Sequence, residues 1–368
     1  FSVSVILIIG SIAVFHQIQY VKDRPVGYDR NSLVMVPMQN GNTRQHYDAL
    51  RTRLLQTGLI EDVAASQNSV IDTYTTNMGY SWRGKDPSLQ EEFTVNTVTP
   101  EFGRTTRWKI VEGRDFSSDL ATDSNAFIIN ETAVRYMGFK HPIGEIVDWG
   151  ANGRYTVIGV VRDMISQNPF ESARQMIFNL SRKTDGNNRA NLVTIRVKPQ
   201  VGIHRALAAI GSIFKSYDTD DPFTSSFADQ EYAKKFADEE RVGQLAGFFT
   251  ILAILISCLG LLGLSAFVAE QRTREIGIRK VLGASVPHLW SLLSREFLLL
   301  VSLSLLIGSP VAYWIMHGWL NSYSYHTGVS WWIFAACALG AIALTLFTVS
   351  FQAVRAAIAN PVDSLRSE

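Results

Sequence analysis

The chain has 368 residues, of which 47% are hydrophobic and 18% charged, and its formal net charge is +1. That balance leaves no basic footprint for a nucleic acid, and the length suggests two or three domains. Two cysteines, Cys258 and Cys337, lie inside apolar runs, which argues against a disulfide framework and against clustered zinc ligands.

The first residues, Phe1 to Phe15, are an apolar run. A helix needs about 20 apolar residues to cross the hydrocarbon core. The run is therefore read as a truncated first crossing (1–15) that residues upstream would complete. The core of an uncleaved signal peptide is the second reading.

Residues 16–241 read as a mixed α/β region. "SLVMVPM" (Ser32 to Met38) has strand character. "TRQHYDALRTRLLQTG" places Tyr47, Leu50, Leu54 and Leu55 on one helical face and stops at Gly58, and "IEDVAAS" follows as a strand. The same order recurs in "LVTIRV", "GIHRALAAIGSIFKSY" and "PFTSSFA". Two β-α-β units of similar length predict a split ferredoxin-like layer from 16–69 and 181–228. The piece between them, 70–180, is too long for a loop and carries its own strands, "NAFIIN" and "YTVIGVV", so it is expected to be an inserted β-rich subdomain. Asp185-Gly186 is a hairpin signal.

From Asp229 the pattern is helical with no proline, which predicts a stalk helix (229–246) running unbroken into a second crossing (247–269). Gly243 and Gly247 form a small-xxx-small pair. A loop at 270–287 follows. Next come an interfacial turn and third crossing (288–316) with Pro310 inside it, a short loop (317–330), a fourth crossing (331–354) and a tail (355–368). Gly247 to Ala269, Phe297 to Met316 and Trp331 to Val354 contain no Asp, Glu, Lys or Arg. The expected fold is thus a membrane protein with four transmembrane α-helices, the first truncated, and a large α+β extracytoplasmic domain.

The 270–287 loop carries Arg272, Arg274, Arg279 and Lys280, whereas 317–330 carries no Lys or Arg. The positive-inside rule puts the first loop in the cytoplasm and residues 16–241 outside. Lys22 and Arg24 run against the rule locally, but long translocated domains largely escape it. Tyr323, Tyr325, Trp331 and Trp332 suit an aromatic belt at the outer boundary.

Few patterns carry chemistry. The phosphate-cradling G-x-x-x-x-G-K-[ST] and the nucleophile elbow G-x-S-x-G are absent. Ser212 and Lys215 make an S-x-x-K without its partner motifs, which reads as an ordinary amphipathic helix. "DTDDP" lacks the glycine and distal glutamate of a calcium loop, and reads as a solvated turn. Arg295 and Glu296 lie at the cytoplasmic edge of the third crossing. They can pair with the charged loop or simply mark the interface.

The charged loop, "EQRTREIGIRKVLGAS" (Glu270 to Ser285), has helical spacing over 273–282. Glu275 and Arg279 are an i,i+4 pair in the favourable order. Gly283 supplies a stop, Ser285 an N-cap and Pro287 a first-turn residue for the next helix. Spacing alone leaves two readings: a helix whose charges only fix topology, or a surface built for a partner.

The loop resembles that of FtsX/MacB-type ABC transporter permeases, with the pattern R-x-x-E-I-G-[IV]-R-[KR]-A-[LI]-G-A. Arg272, Glu275, Ile276, Gly277, Ile278, Arg279, Lys280, Leu282, Gly283 and Ala284 match it, and Val281 replaces the usual alanine. "FIINETAVRYMGFKHPIGEIV" followed by "YTVIGVVRDM" is similar to the MacB-type periplasmic core, and "AIANPVDSLRSE" to the family's ending. The resemblance implies an inner-membrane permease subunit with a periplasmic domain, itself not an enzyme, and the second half of an eight-crossing form. The matched loop residues, with Arg274, would be the coupling helix on which a partner ABC ATPase pushes. ATP and Mg would be bound by that ATPase and no cofactor by this chain. Implied partners are the ATPase and a second permease half or a second copy. A periplasmic adaptor or outer-membrane tunnel is a further one the resemblance admits. The implied activity is mechanotransmission driving efflux or extraction of a peptide, drug or lipid-linked substrate. A regulatory or sensing complex shares every motif, and a membrane-anchored periplasmic enzyme lacks a catalytic constellation to support it.

Overall fold

The computed structural model describes residues 1–39, 41–86, 88, 92–181, 190–217, 222–272, 278 and 286–358. The chain divides into two units, Arg24–Phe236 and Phe1–Asp23 with Ala237–Glu368.

In the first unit, β1 (Leu33–Pro37), α2 (Gly41–Gln45), α3 (Tyr47–Gln56) and β2 (Ile60–Ser66) form one half of a layer. The other half is β11 (Leu192–Val197), α6 (Ile203–Lys215) and β12 (Ser226–Phe227). The strands lie in the order β12-β1-β11-β2, every neighbour antiparallel, as in a split βαβ layer. Side chains alternate across a strand, so Val34 and Val36 share one face with Val193, Ile195 and Val197. Leu50 and Leu54 of α3 and Ile210 and Phe214 of α6 bury that face. On the opposite face Arg196 is 2% exposed. Its Nε donates to the carbonyl of Thr105 at 2.6 Å and its Nη2 to that of Asp29 at 2.8 Å. Three acceptors of this kind satisfy a charge that burial would otherwise make costly, the third being the Asn31 carbonyl at 3.0 Å.

The insertion extends the same sheet. It contains β3 (Thr76–Asn77), β4 (Ser81–Trp82), β5 (Phe93–Val98), α4 (Phe102–Thr106), β6 (Ile110–Gly113), β7 (Ala126–Asn130), α5 (Glu131–Met137), β8 (Ile146–Asp148), β9 (Arg154–Val161) and β10 (Met176–Leu180). It joins the layer through the single pair Ser66↔Val98 and continues in the order β5-β10-β7-β9-β8-β4. Its core is separate and rich in aromatic residues: Tyr80, Trp82, Phe93, Phe127 and Tyr155, with Val157 and Ile177. Phe127 and Tyr155 stack with centroids 4.0 Å apart. The β7–α5 junction follows from Asn130. Its Oδ1 accepts from the N–H groups of Ala133 and Met176, both at 2.9 Å, capping α5 and tying it to β10. Gly138, at φ 71, ends the helix. The Asp185-Gly186 hairpin signal and the acidic part of "DTDDP" lie outside the described residues. Ser212 Oγ donates to the Ala209 carbonyl within α6 at 2.9 Å.

The second unit contains α1 (Ser2–Lys22), α8 (Ala237–Gln271), α9 (Val286–Leu320) and α10 (Trp331–Ile358). All four are long and apolar enough to cross a membrane. The first continues past Phe15 to Lys22; Gln17 is hydrogen-bonded within the bundle, and His16 lies edge-on to Trp332 with ring centroids 6.1 Å apart. Lys22, which opposes the positive-inside rule locally, is ion-paired with Glu240 of α8. Small and hydroxylated side chains bring these helices together, as expected where lipid removes the hydrophobic drive. Ser4 meets Ser257, and Ser11 meets Thr250, each at 2.7 Å. A Cβ on Gly308 of α9 would lie 3.1 Å from Val5 and 3.2 Å from the Ser2 carbonyl of α1. Gly243 sits against Ile18 and Val14 of α1, whereas Gly247 faces nothing within 4 Å, so the small-xxx-small pair works through one member only. α9 continues through Pro310.

The unbroken stalk expected from Asp229 is instead two helices. α7 (Ala228–Lys234) stops, Lys235 and Phe236 form a turn, and α8 begins at Ala237. The cause is tertiary. Phe236 is 1% exposed and packs against Phe170 and Tyr232, at 5.6 and 5.4 Å between centroids. Lys235 is ion-paired with Asp72. Burying a phenylalanine contributes about 1.5–3 kcal/mol, enough to offset the helical hydrogen bonds given up at the turn.

Candidate coupling loop and the helix ends that hold it

Of the loop residues singled out in the sequence, Arg272 and Ile278 are described. Arg274, Glu275, Ile276, Gly277, Arg279, Lys280, Leu282, Gly283 and Ala284 lie outside the described residues. Ile278 is 52% exposed.

Arg272 is the first residue beyond α8, and its N–H still donates to the Val268 carbonyl at 3.1 Å. Its Nη2 donates to Glu296 Oε1 of α9 at 2.6 Å. Of the two uses open to Glu296 in the sequence, pairing with the charged loop is the one found. The residue just beyond α8 is therefore tied by a charge-assisted hydrogen bond to Glu296, ten residues inside α9. One step further into the bundle, Leu261 of α8, Phe297 of α9 and Val349 of α10 form a buried cluster, with Val268 against it. Trp290 Nε1 donates to Ser350 Oγ at 2.8 Å, joining α9 to α10. The loop thus leaves and re-enters a three-helix frame braced by apolar and polar contacts.

At the opposite end of the bundle sits a device that periodicity did not reveal. Gln17 of α1 is fully buried. Its Nε2 donates to the Tyr325 carbonyl at 3.0 Å, and its Oε1 accepts from the Thr327 N–H at 2.8 Å. Tyr20 stacks on Tyr325 with centroids 5.0 Å apart. The available signal was an amide inside an apolar helix, which must find partners where water is scarce.

The chain thus combines an α+β unit with four helices long and apolar enough to cross a membrane and a charged segment between the second and third of them. Comparison with known families identifies the class as that of membrane permeases. The MacB-like periplasmic core domain model matches residues 1–213 and the FtsX-like permease C-terminal model matches residues 247–361. The chain belongs to the MacB/FtsX-type ABC transporter permeases, and is a multi-pass inner-membrane protein with a large periplasmic domain.

It is similar to the uncharacterized ABC transporter permease YknZ of Bacillus subtilis, at 23% identity over 289 residues, 76% of this chain and 71% of that one. It is also similar to the macrolide export ATP-binding/permease protein MacB of Chromobacterium violaceum, at 24% identity over 333 residues. That match covers 85% of this chain but 50% of the MacB chain, so this chain spans half the length of that relative. Among solved structures, the periplasmic region of MacB from Actinobacillus actinomycetemcomitans aligns over 58% of this chain and 96% of its own. The TM-score is 0.41 and the identity 16%.

Proposed function

We propose that this permease is a mechanical transmitter. A partner ATPase subunit, or an ATPase domain outside this chain, binds ATP and Mg and closes. It then presses on a coupling helix formed by Arg272, Arg274, Glu275, Ile276, Gly277, Ile278, Arg279, Lys280, Leu282, Gly283 and Ala284. The spanning helices carry that motion to the periplasmic domain, which drives efflux or extraction of a peptide, drug or lipid-linked substrate. A second permease half or a second copy of this chain completes the transporter. A periplasmic adaptor or outer-membrane tunnel would receive the substrate.

The observation that carries this reading is the Arg272–Glu296 bond, which ties together the two helices flanking the loop. The name of the C. violaceum relative joins an ATP-binding part to a permease part, while this sequence holds no G-x-x-x-x-G-K-[ST]. That supports an ATPase outside these residues. Only two covalent links join the units, at Asp23–Arg24 and Phe236–Ala237. The second is the non-helical turn after α7, so motion of α8 must be met at Lys235 and Phe236.

Hydrogen–deuterium exchange of the reconstituted complex tests this. ATP binding is expected to change protection in peptides spanning Lys235 to Ala237 and elsewhere in 24–236. Unchanged exchange throughout that unit, with ATP turnover intact, would remove the mechanical reading.

A further inference from the structure

Just beyond the paired ends of β6 and β9, two cations face each other. The register Ile110↔Val161 continues into a hydrogen bond from the Arg162 N–H to the Lys109 carbonyl at 2.9 Å. Like charges directly opposite in an antiparallel pair are destabilising. Neither side chain has a hydrogen-bond or ion-pair partner among the described residues. A third cation, Arg107, joins them from the end of α4. It stands at φ 53, a left-handed conformation unusual outside glycine.

The nearby acids do not neutralise this group. Arg107 Nη2 donates to both oxygens of Glu61, at 2.7 and 3.0 Å, and its Nη1 to Asp29 Oδ2 at 3.2 Å. The same Asp29 oxygen accepts from Arg196 at 3.3 Å. Asp29 and Glu61 are thus matched by Arg107 and Arg196. Asp163, next in sequence to Arg162, is engaged by Thr132 and Arg135. The charges of Lys109 and Arg162 are left over.

Between these three cations and the segment Pro25–Asp29 lies a cavity of about 160 Å³. Gly27 fixes that segment. At φ +86 it packs so closely that a Cβ would lie 2.4 Å from the Asp163 carbonyl oxygen. The cavity therefore has a rigid wall, an excess of two positive charges and room for a group much larger than a water.

The geometry points to a binding site for a phosphate-type anion, held by Lys109 and Arg162 with Arg107 as a fixed third cation. Two adjacent unpaired cations call for one or two negative charges on one compact group. The planar guanidinium of Arg162 suits paired phosphate oxygens, and Lys109 adds a point charge. Asp29, also on the cavity wall, disfavours an anion locally, but Arg107 and Arg196 already engage it. The phosphate has two sources. Pro25 is three residues beyond Lys22, the end of a membrane-spanning helix, so an anionic lipid headgroup is one. A soluble phosphate or phosphate ester is the other.

The test uses the full chain in neutral detergent and isothermal titration calorimetry. The probes are inorganic phosphate, dihexanoyl-phosphatidylglycerol and dihexanoyl-phosphatidylcholine. The double variant Lys109→Gln/Arg162→Gln changes two exposed side chains. Without ligand it should melt at the wild-type temperature or above it, because a like-charge contact is removed. It should bind the anionic probe at least tenfold more weakly. Binding of phosphate assigns a soluble source. Binding of the phosphatidylglycerol with neither phosphate nor the phosphatidylcholine assigns a headgroup. If the wild type binds none of the three probes, or the double variant binds as tightly as the wild type, the site is refuted.

Discussion

Arg272, just beyond the end of α8, and Glu296, ten residues inside α9, meet at 2.6 Å. Both side chains are partly exposed, at 33% and 49%. Such a pair adds only about 0.2–1 kcal/mol to stability, so its importance lies in where it holds the loop. Arg272→Ala should leave the melting temperature nearly unchanged while weakening transport. The exchange Arg272→Glu with Glu296→Arg should restore much of what either single reversal loses. A double-mutant cycle on transport rate, with thermal melts alongside, checks both statements.

The periplasmic unit holds two carboxylates with opposite responses to acid. Arg114 donates to Asp123 at 2.7 and 2.6 Å, and these hydrogen bonds hold the Asp123 carboxyl below its usual range. Burial opposes the shift, and the Ser117 N–H assists it. For Asp115, burial pushes the carboxyl up, partly countered by the Phe116 N–H and by Trp108 Nε1. A depressed carboxylate contributes stability above its unfolded pKa, about 3.9, and loses it as the pH falls through the folded value. A raised one favours folding at low pH, and that contribution disappears as the pH rises through its folded value. Asp123→Asn should therefore destabilise the unit near neutral pH, by about 1–2 kcal/mol after allowing for the part-exposed Arg114. It should also flatten the loss of stability in acid. Asp115→Asn should cost less near neutral pH than Asp123→Asn, because relief of the buried charge offsets the loss of one of its two accepted bonds, from Trp108 Nε1 or from the Phe116 N–H. Thermal melts from about pH 3 to pH 7 separate the two.

Gln17 predicts a different kind of effect. Gln17→Leu suits the apolar helix but removes the acceptor of the Thr327 N–H and the Gln17 donor to the Tyr325 carbonyl. Interhelical polar contacts in membranes are worth about 0.6–2 kcal/mol, so the chain should still insert and fold. Hydrogen exchange at Thr327 should rise several-fold, with little change elsewhere in α9 and α10. Unchanged exchange at Thr327 would show that Gln17 does not hold the loop.

Much of this architecture was legible because it repeats or is extreme. Apolar runs free of charge marked three of the spanning helices. The recurrence of strand, helix and strand around Leu50 and Ile210 marked the ferredoxin-like layer. The stop at Lys235–Phe236 left no trace, because neither residue breaks helices. The contacts of Phe236 with Phe170 and of Lys235 with Asp72, both far away in sequence, end α7. The joining of the insertion to the sheet of the layer was equally hidden, since β2 and β5 pair at Ser66↔Val98 alone. Lys109 and Arg162 are ordinary surface residues in the sequence and become neighbours only through the β6–β9 register.

The most direct test of the coupling reading is Gly277→Trp, which alters one residue of the loop and leaves every charge in place. If the loop is a surface for an ATPase, Gly277 matters because it lets a partner backbone approach closely, and Arg279 and Lys280 supply charge complementarity. An indole there should block docking without disturbing a topology set by basic residues. The measurement is co-purification of the ATPase with the variant from membranes, together with transport. The account predicts normal insertion with loss of both ATPase association and transport. A Gly277→Trp chain that still retained the ATPase and still transported would contradict it, and would reduce the loop to a topology signal.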